Sequence, residues 1–166
     1  MKRVLVLNAD MTPFGTTTPK RAIALIIKER AEVIKETDIR IHPTMLVPSI
    51  IRLIKAVRHL WKKSVPWTKA NVHTRDGYKC QYCGTKLERR ELTIDHVVPK
   101  DQGGKNSWVN TVCACFPCNN KKSNRTPSQA QMALKRTPHQ PTIMEFILKK
   151  VELDGLNEIV RELFEN

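Results

Sequence analysis

The chain has 166 residues, enough for one sizeable hydrophobic core or two small ones. With 40% hydrophobic and 27% charged residues and no internal repeat, its composition is globular and excludes a disordered tail or a fibrous protein. No apolar run approaches the roughly 18 residues that cross a bilayer, and the first ten residues lack the apolar core of a signal peptide. We therefore expect a cytoplasmic protein that is neither secreted nor associated with a membrane.

Positive charge is concentrated in the first two thirds of the chain. Lys and Arg number 29 against 16 Asp and Glu, which gives a formal net charge of +13. Residues 1–66 hold 13 basic and 5 acidic residues, residues 67–125 hold 11 and 5, and residues 126–166 hold 5 and 6. This imbalance favours a polyanionic partner, nucleic acid first of all; an anionic membrane surface and an ordinary solvated surface are the alternatives.

The first 66 residues predict a small α/β region. Val4–Leu7 is a short apolar run typical of a buried strand, and Pro19 opens a helix with an apolar stripe. Residues 32–35 predict a second short strand. Residues 49–60 fit a helix or a strand equally well, because their apolar positions suit both patterns.

The rest of the chain predicts a hairpin region followed by helices. Thr68 is a suitable N-cap for a short helix, and residues 91–98 and 108–113 predict the two arms of a β-hairpin. A short basic helix is expected from Asn119, another from Thr126-Pro127, and two amphipathic helices at the end. The predicted segments are 1–66, 67–125 and 126–166.

Five cysteines lie within residues 80–118. Four of them form two Cys-x-x-Cys pairs, and two such pairs complete a tetrahedral sulfur site for Zn²⁺. Four sulfur ligands leave no open position, so we expect a structural ion. The alternatives are ordinary buried cysteines, or a second pair made by Cys113 and Cys115, whose spacing does not repeat that of the first pair. The favoured ligands are Cys80, Cys83, Cys115 and Cys118.

Asp95 and His96 stand together in the first predicted hairpin arm. Adjacent side chains of a strand diverge, so the carboxylate can hold a metal ion while the imidazole faces an attacking water as general base. A carboxylate suits Mg²⁺ or Mn²⁺, and Asn119, beside a zinc ligand, can add a second oxygen ligand. An Asp-His pair by itself is more often structural, so the prediction depends on its neighbours.

The order of these features resembles the HNH endonuclease family, in the zinc-knuckle branch of the ββα-metal (His-Me finger) nucleases. The resemblance covers residues 75–125 and implies an α+β fold: a ββα nuclease core stapled by a four-cysteine zinc site, with a small α/β N-terminal region and C-terminal helices. Residues 1–66 look, more loosely, like the leader of some bacterial members. The matching features are the first Cys-x-x-Cys pair, Asp95-His96, Gly103-Gly104, Asn110, the second Cys-x-x-Cys pair with Asn119, and Lys122.

The resemblance implies a role for each matching residue. His96 corresponds to the general base, Asp95 to the acidic ligand of a catalytic divalent ion, and Asn110 to the residue that helps orient the base. Asn119 stands where the family often has His, so this is the HNN form. Its amide oxygen favours Mg²⁺ or Mn²⁺ over Ni²⁺ or Zn²⁺ as the catalytic ion.

We therefore expect a metal-dependent endonuclease that hydrolyses phosphodiester bonds in DNA, double-stranded by expectation, with Lys122 and Arg125 contacting flanking phosphates. A solvated basic helix face is the alternative for those two residues. One site cuts one strand, so a homodimer is one way to cut both. Residues 1–66 are expected to bind DNA or to mediate oligomerisation. The alternative functions are a non-catalytic zinc-knuckle module that binds nucleic acid and an RNA-processing factor.

Overall fold

The computed structural model describes residues 3–58 and 64–164, which group into two compact units. The sheet unit lies within Met1–Lys63 and Ile143–Asn166, and the cysteine unit is Ser64–Thr142. These units do not coincide with the three segments predicted from composition. Contacts between distant parts of the chain place the last two helices with the N-terminal region, and composition carries no information about such contacts.

Strands and helices of both units confirm the α+β class. Among the described residues, no helix has the length and apolar character needed to cross a membrane. In chain order the elements are β1 (Val4–Leu7), β2 (Pro13–Thr17), α1 (Pro19–Ile27), β3 (Ala31–His42), β4 (Met45–Leu53), α2 (Lys69–Arg75), β5 (Leu92–His96), β6 (Thr111–Cys115), α3 (Phe116–Lys122), α4 (Ile143–Leu153) and α5 (Asn157–Phe164).

The sheet unit is built on a four-stranded sheet with the order β2-β1-β4-β3. β1 pairs antiparallel with β2 and parallel with β4, and β3 pairs antiparallel with β4. Leu5 and Leu7 pack with α4 and α5 in one core, whereas Val4 and Val6 pack with α1 in another. Because successive side chains of a strand point to opposite faces, a strand covered on both faces is apolar at every position.

The predicted strand β1 and helix α1 are confirmed. The strand expected at residues 32–35 is longer, because β3 runs over 12 residues. The ambiguous segment 49–60 is a strand as far as Leu53, and its residues 59 and 60 lie outside the described residues. Strand β2 was missed, since its Pro and Gly break the alternating pattern that identifies strands.

The cysteine unit contains a ββα arrangement. β5 and β6 pair antiparallel, with Leu92 opposite Cys115 and His96 opposite Thr111, and α3 follows β6 directly. The second arm of the hairpin begins at Thr111 rather than at residue 108, and α3 begins at Phe116 rather than at Asn119. Pro117 lies in the first turn of α3, where proline needs no hydrogen-bond partner.

The helix expected from Thr126-Pro127 is wrong, because these residues form a single turn. Thr126 and Gln129 cap each other as predicted for a helix start, the backbone N of Thr126 donating to Gln129 Oε1 at 2.8 Å. The turn then closes at once. Gln131 adopts a φ of 53°, and the N–H of Met132 donates back to the carbonyl of Pro127 at 2.8 Å.

Candidate active site and metal centre

The sulfurs of the two Cys-x-x-Cys pairs meet in space. All four Sγ atoms lie within 4.8 Å of one another, and those of Cys83 and Cys115 are 3.9 Å apart. A tetrahedral zinc ion with Zn–S bonds of about 2.3 Å requires sulfurs about 3.8 Å apart. The donor set therefore fits a closed structural zinc site. Its members are Cys80, Cys83, Cys115 and Cys118.

Local backbone geometry presents the two pairs to each other. The first pair lies in a tight turn in which Gly84, at a φ of 84°, donates its N–H to the carbonyl of Cys80 at 2.8 Å. Only glycine adopts that φ without strain. The second pair lies at the junction of β6 and α3, with Cys115 ending the strand and Cys118 in the first turn of the helix.

The thiols of the cluster differ in acidity. Hydrogen bonds with Thr85 lower the pKa of Cys83 to about 6, which favours its thiolate. Burial raises the pKa of Cys115 and of Cys118. A bound cation would offset that cost, because zinc binds thiolates and releases their protons.

The fifth cysteine is part of the hydrophobic core of the cysteine unit. Cys113 is fully buried, its Sγ lies 3.2 Å from Nδ1 of His73, and burial raises its pKa to about 12. Its sulfur is not one of the four that lie within 4.8 Å of one another. The structure therefore brings Cys115 together with Cys118 rather than with Cys113.

Asp95 is buried near the end of β5, with 6% of its surface exposed. Its Oδ2 accepts a hydrogen bond from the Tyr82 hydroxyl at 2.5 Å, and its Oδ1 accepts one from Lys122 Nζ at 3.0 Å. Burial, followed by the Asp95 carboxylate, raises the pKa of Tyr82 and keeps it a donor. These two bonds use two of about four lone-pair positions of the carboxylate, so Asp95 still fits a hard cation.

The expectation that Lys122 contacts a phosphate is corrected by the structure. Its side chain is 1% exposed and its ammonium is paired with Asp95. A buried carboxylate requires a buried counter-charge, and α3 packs on β5 with Lys122 inward. Arg125, in contrast, is exposed, and its guanidinium donates to the carbonyls of Lys121 and Lys122. A phosphate contact by Arg125 stays a prediction.

His96 ends β5 and is half-buried. Its Nε2 lies 2.7 Å from Oδ1 of Asn106, in the loop between β5 and β6. Since Asp95 and His96 are adjacent in a strand, their side chains leave it on opposite sides. The imidazole thus remains accessible while the carboxylate is buried.

Asn110 secures the loop between β5 and β6. Its Oδ1 accepts from the N–H of Val98 at 2.8 Å, and its Nδ2 donates to the carbonyls of Val98 and Lys105, each at 3.1 Å. Its backbone carbonyl accepts from Val97 at 2.9 Å. Asn110 therefore holds the loop that follows His96 and has no direct hydrogen bond with the imidazole.

Asn119 lies in α3 immediately after Cys118 and is half-buried. Among the described residues its side chain has no hydrogen-bond partner, so its amide oxygen is available as a ligand. An amide oxygen is a ligand type that Mg²⁺ or Mn²⁺ accepts, and a role for Asn119 beside Asp95 stays a prediction.

Two residues of the site were missed from the sequence. Tyr82 lies between the two cysteines of the first Cys-x-x-Cys pair, and its position in the sequence does not indicate a hydrogen bond with Asp95. Asn106 is a single polar residue in an exposed loop. The Gly103-Gly104 pair was the available signal, because it indicates a tight loop after His96 whose following residues turn back toward the strand.

Comparisons with known proteins converge on one family. Residues 80–125 match the family model of the HNH endonuclease, and residues 4–61 match that of the HNH endonuclease-associated N-terminal domain. Two curated relatives are CRISPR-associated endonucleases Cas9. That of Corynebacterium diphtheriae is 37% identical over 51 residues, 30% of this chain and 5% of the relative. That of Actinomyces naeslundii is 41% identical over 49 residues, 29% of this chain and 4% of the relative.

The chain thus spans about a twentieth of the length of these curated relatives. Among solved structures, the crystal structure of the Type II-C Cas9 enzyme from Actinomyces naeslundii aligns with a TM-score of 0.30 and 23% identity. That alignment covers 60% of this chain and 14% of the Cas9 chain.

Proposed function

Because residues 80–125 belong to the HNH endonuclease family, we propose that this chain is a metal-dependent endonuclease that hydrolyses phosphodiester bonds in DNA. The observation that carries the proposal is the accessible imidazole of His96, at the end of β5, next to a buried carboxylate. A four-thiol cluster fixes the ββα unit that presents it.

Hydrolysis requires a deprotonated water in line with the leaving oxygen. His96 accepts a proton from the water, the water oxygen bonds to phosphorus, and the P–O3′ bond breaks with its electron pair going to O3′. A proton from solvent then completes the 3′ hydroxyl, and the other strand end carries a 5′ phosphate. Asn110 contributes by holding the loop that follows His96.

Asp95 and Asn119 would hold Mg²⁺ or Mn²⁺. When bound, the ion supplies positive charge that stabilises the negative charge developing on the phosphate. Tyr82 and Lys122 contribute by holding the Asp95 carboxylate in one orientation. Because Tyr82 lies between Cys80 and Cys83, a zinc ion held by these cysteines would also support the position of Asp95.

The positive charge of the chain supports a polyanionic substrate. A formal net charge of +13 attracts nucleic acid, and we propose double-stranded DNA as the substrate and a homodimer as one route to a double-strand break. Arg125, which is exposed three residues after the end of α3, is the proposed phosphate contact.

The test is cleavage of a supercoiled plasmid in Mg²⁺, in Mn²⁺ and in EDTA, comparing the wild type with His96→Ala. Loss of a general base is expected to slow cleavage about 100-fold or more. His139→Ala is the matched control, because His139 is exposed and its side chain has no hydrogen bond among the described residues. The ratio of nicked to linear plasmid in the product shows whether the protein cuts one strand or both.

Cleavage that needs no metal, or that survives in His96→Ala, contradicts the proposal. No cleavage in any metal, together with salt-sensitive DNA binding, would favour a non-catalytic binding module instead.

A further inference from the structure

Asn106 makes the closest polar contact to the imidazole of His96. Its Oδ1 lies 2.7 Å from Nε2, a good distance for a hydrogen bond. With the amide in this orientation, its oxygen can only accept, so Nε2 must carry the hydrogen. Among the described residues, Nδ1 of His96 has no hydrogen-bond partner. The contact therefore selects one of the two neutral tautomers and leaves the lone pair of Nδ1 free.

The backbone around Asn106 is held independently of His96. The carbonyl of Lys105, the preceding residue, accepts a hydrogen bond from Asn110 Nδ2 at 3.1 Å. The N–H groups of Gly103 and Gly104 donate to the carbonyls of Lys100 and Pro99, each at 2.9 Å. Asn106 is thus carried by a loop whose position is fixed on both sides.

Close packing within the loop makes that position specific. A Cβ on Gly104 would lie 1.8 Å from the carbonyl oxygen of Val98 and 2.8 Å from Asn110 Nδ2. Only glycine lets the loop pass this point, two residues before Asn106. The same asparagine that closes the loop, Asn110, therefore acts on His96 through Asn106.

We propose that Asn106 is a positioning residue, which accepts the Nε2–H of His96 and so presents Nδ1 as the general base. The catalytic role of Asn106 rests on the proposed function, whereas the hydrogen bond with His96 is independent of it. Partners that orient an active-site imidazole in this way typically contribute about 10- to 100-fold to activity.

The test compares Asn106→Leu, which removes the acceptor at similar size, with Asn106→Asp, which retains it. Nitrogen-15 NMR of the His96 ring, recorded for all the proteins at one alkaline pH, reads the tautomer directly. In Asn106→Leu the ratio of the Nε2–H to the Nδ1–H form is expected to fall about fivefold, as the loss of one net hydrogen bond predicts. Asn106→Asp is expected to keep the wild-type tautomer.

Plasmid cleavage by the same proteins gives the second readout. Asn106→Leu is expected to lower kcat about 10- to 100-fold with KM little changed, and Asn106→Asp to restore most of the activity. Asn157→Leu makes the same chemical change at an exposed position of the sheet unit and serves as the control.

An unchanged tautomer ratio in Asn106→Leu overturns the proposal, whatever the cleavage rates are. A shifted ratio in a protein that cleaves no DNA would uphold the hydrogen bond and contradict the proposed function instead. The two failures are therefore distinguishable.

Discussion

The carboxylate of Asp95 and the ammonium of Lys122 form an ion pair that water hardly reaches. Both side chains are less than a tenth exposed, and Tyr82 supplies a further hydrogen bond to the carboxylate. Breaking such a pair costs more than the pair itself stabilises, because the remaining charge is left buried without a partner. Lys122 therefore belongs to the interior of the cysteine unit.

Lys122→Met is expected to lower the free energy of unfolding of the cysteine unit by about 3 kcal/mol, because Asp95 then stays buried without its counter-charge. Denaturant unfolding of the zinc-loaded protein measures this change. Lys121→Met on the same helix is the control, since Lys121 is exposed and should change stability by about 0.5 kcal/mol at most. Equal stability of the two variants would show that the Lys122 ammonium is not buried against Asp95.

His73 gives the cysteine unit a pH dependence. Burial lowers the pKa of His73 below its ordinary value of 6.5, so the unfolded chain binds a proton that the folded chain excludes. The free energy of unfolding is therefore at its full value above about pH 6.5. It falls as the pH drops toward the lowered pKa of His73, by at most about 1.4 kcal/mol per pH unit.

Unfolding by denaturant between about pH 7.5 and pH 6, with zinc in excess, measures this dependence. His73→Phe keeps an aromatic ring without a titrating group, so its stability is expected to fall less over the same range. The interpretation fails if wild type and His73→Phe lose stability in parallel.

The type of residue at each position of the site was easier to predict from the sequence than the direction in which its side chain points. The sequence from Cys115 to Lys122 correctly indicates a pair of thiolates followed by an amide and basic side chains on a short helix, although that helix begins at Phe116 rather than at Asn119. It does not indicate which of two adjacent lysines faces inward. That depends on how α3 packs on β5, which the local sequence does not encode.

The loop between β5 and β6 acts as one element. Asn110 ties its two ends, and Gly104 passes so close to Val98 that no side chain fits. The position of the loop therefore depends on a few short-range contacts rather than on a core of its own. A small change in one of these contacts should alter the position of the His96 side chain.

Gly104→Ala is expected to displace this loop, because its Cβ would overlap the carbonyl oxygen of Val98. We predict a cleavage rate lower by about 10-fold or more, with zinc content unchanged, since the cysteine cluster does not depend on the loop. Lys105→Ala, an exposed neighbour, serves as the control. Wild-type cleavage by Gly104→Ala would mean that the loop does not position the site.

Elements with strong local signals were predicted well, and those that depend on tertiary contacts were not. β1 is apolar at all four positions and α1 begins at Thr18-Pro19, so both are evident from sequence. The turn at Thr126 carries a complete helix-start signal, yet Gln131 in a left-handed conformation ends it. Nothing in that sequence indicates where the closing bond forms.

At the scale of the whole molecule, zinc is expected to stabilise the cysteine unit. That unit has one small core, lined by Cys80 and Cys115 among others, and two short strands. A structural zinc ion commonly contributes on the order of 10 kcal/mol to folding, which a core of this size cannot replace. The sheet unit has its own two cores, built without any cysteine.

Chelation of zinc is therefore expected to remove hydrogen-exchange protection from β5, β6 and α3 while β1 and β4 keep theirs. Hydrogen-exchange mass spectrometry of the full chain, with and without a chelator, measures the protection of both groups of elements in one experiment. Cys83→Ser should reproduce the loss without chelator, whereas Cys113→Ala should retain zinc. Protection of β5 and β6 that survives removal of the metal would contradict the structural role.

The ββα unit with its cysteine cluster was predictable because its signals are chemical and closely spaced. Cys80, Asp95 and Cys118 belong to one ordered motif that needs no knowledge of the distant chain. The sheet unit was only half predictable. Leu5 and Ile50 share a core with Val151, and no local pattern connects residues so far apart in sequence.

The discontinuous sheet unit sets an order of events during synthesis. The ribosome releases β1 and β4 first, then all of the cysteine unit, and only afterwards the two helices that cover Leu5 and Leu7. Until α4 emerges, that face of the sheet is apolar and uncovered, whereas the cysteine unit can already capture zinc. The metal-binding part should therefore mature before the sheet unit, whose strands are completed only by helices that are translated after it.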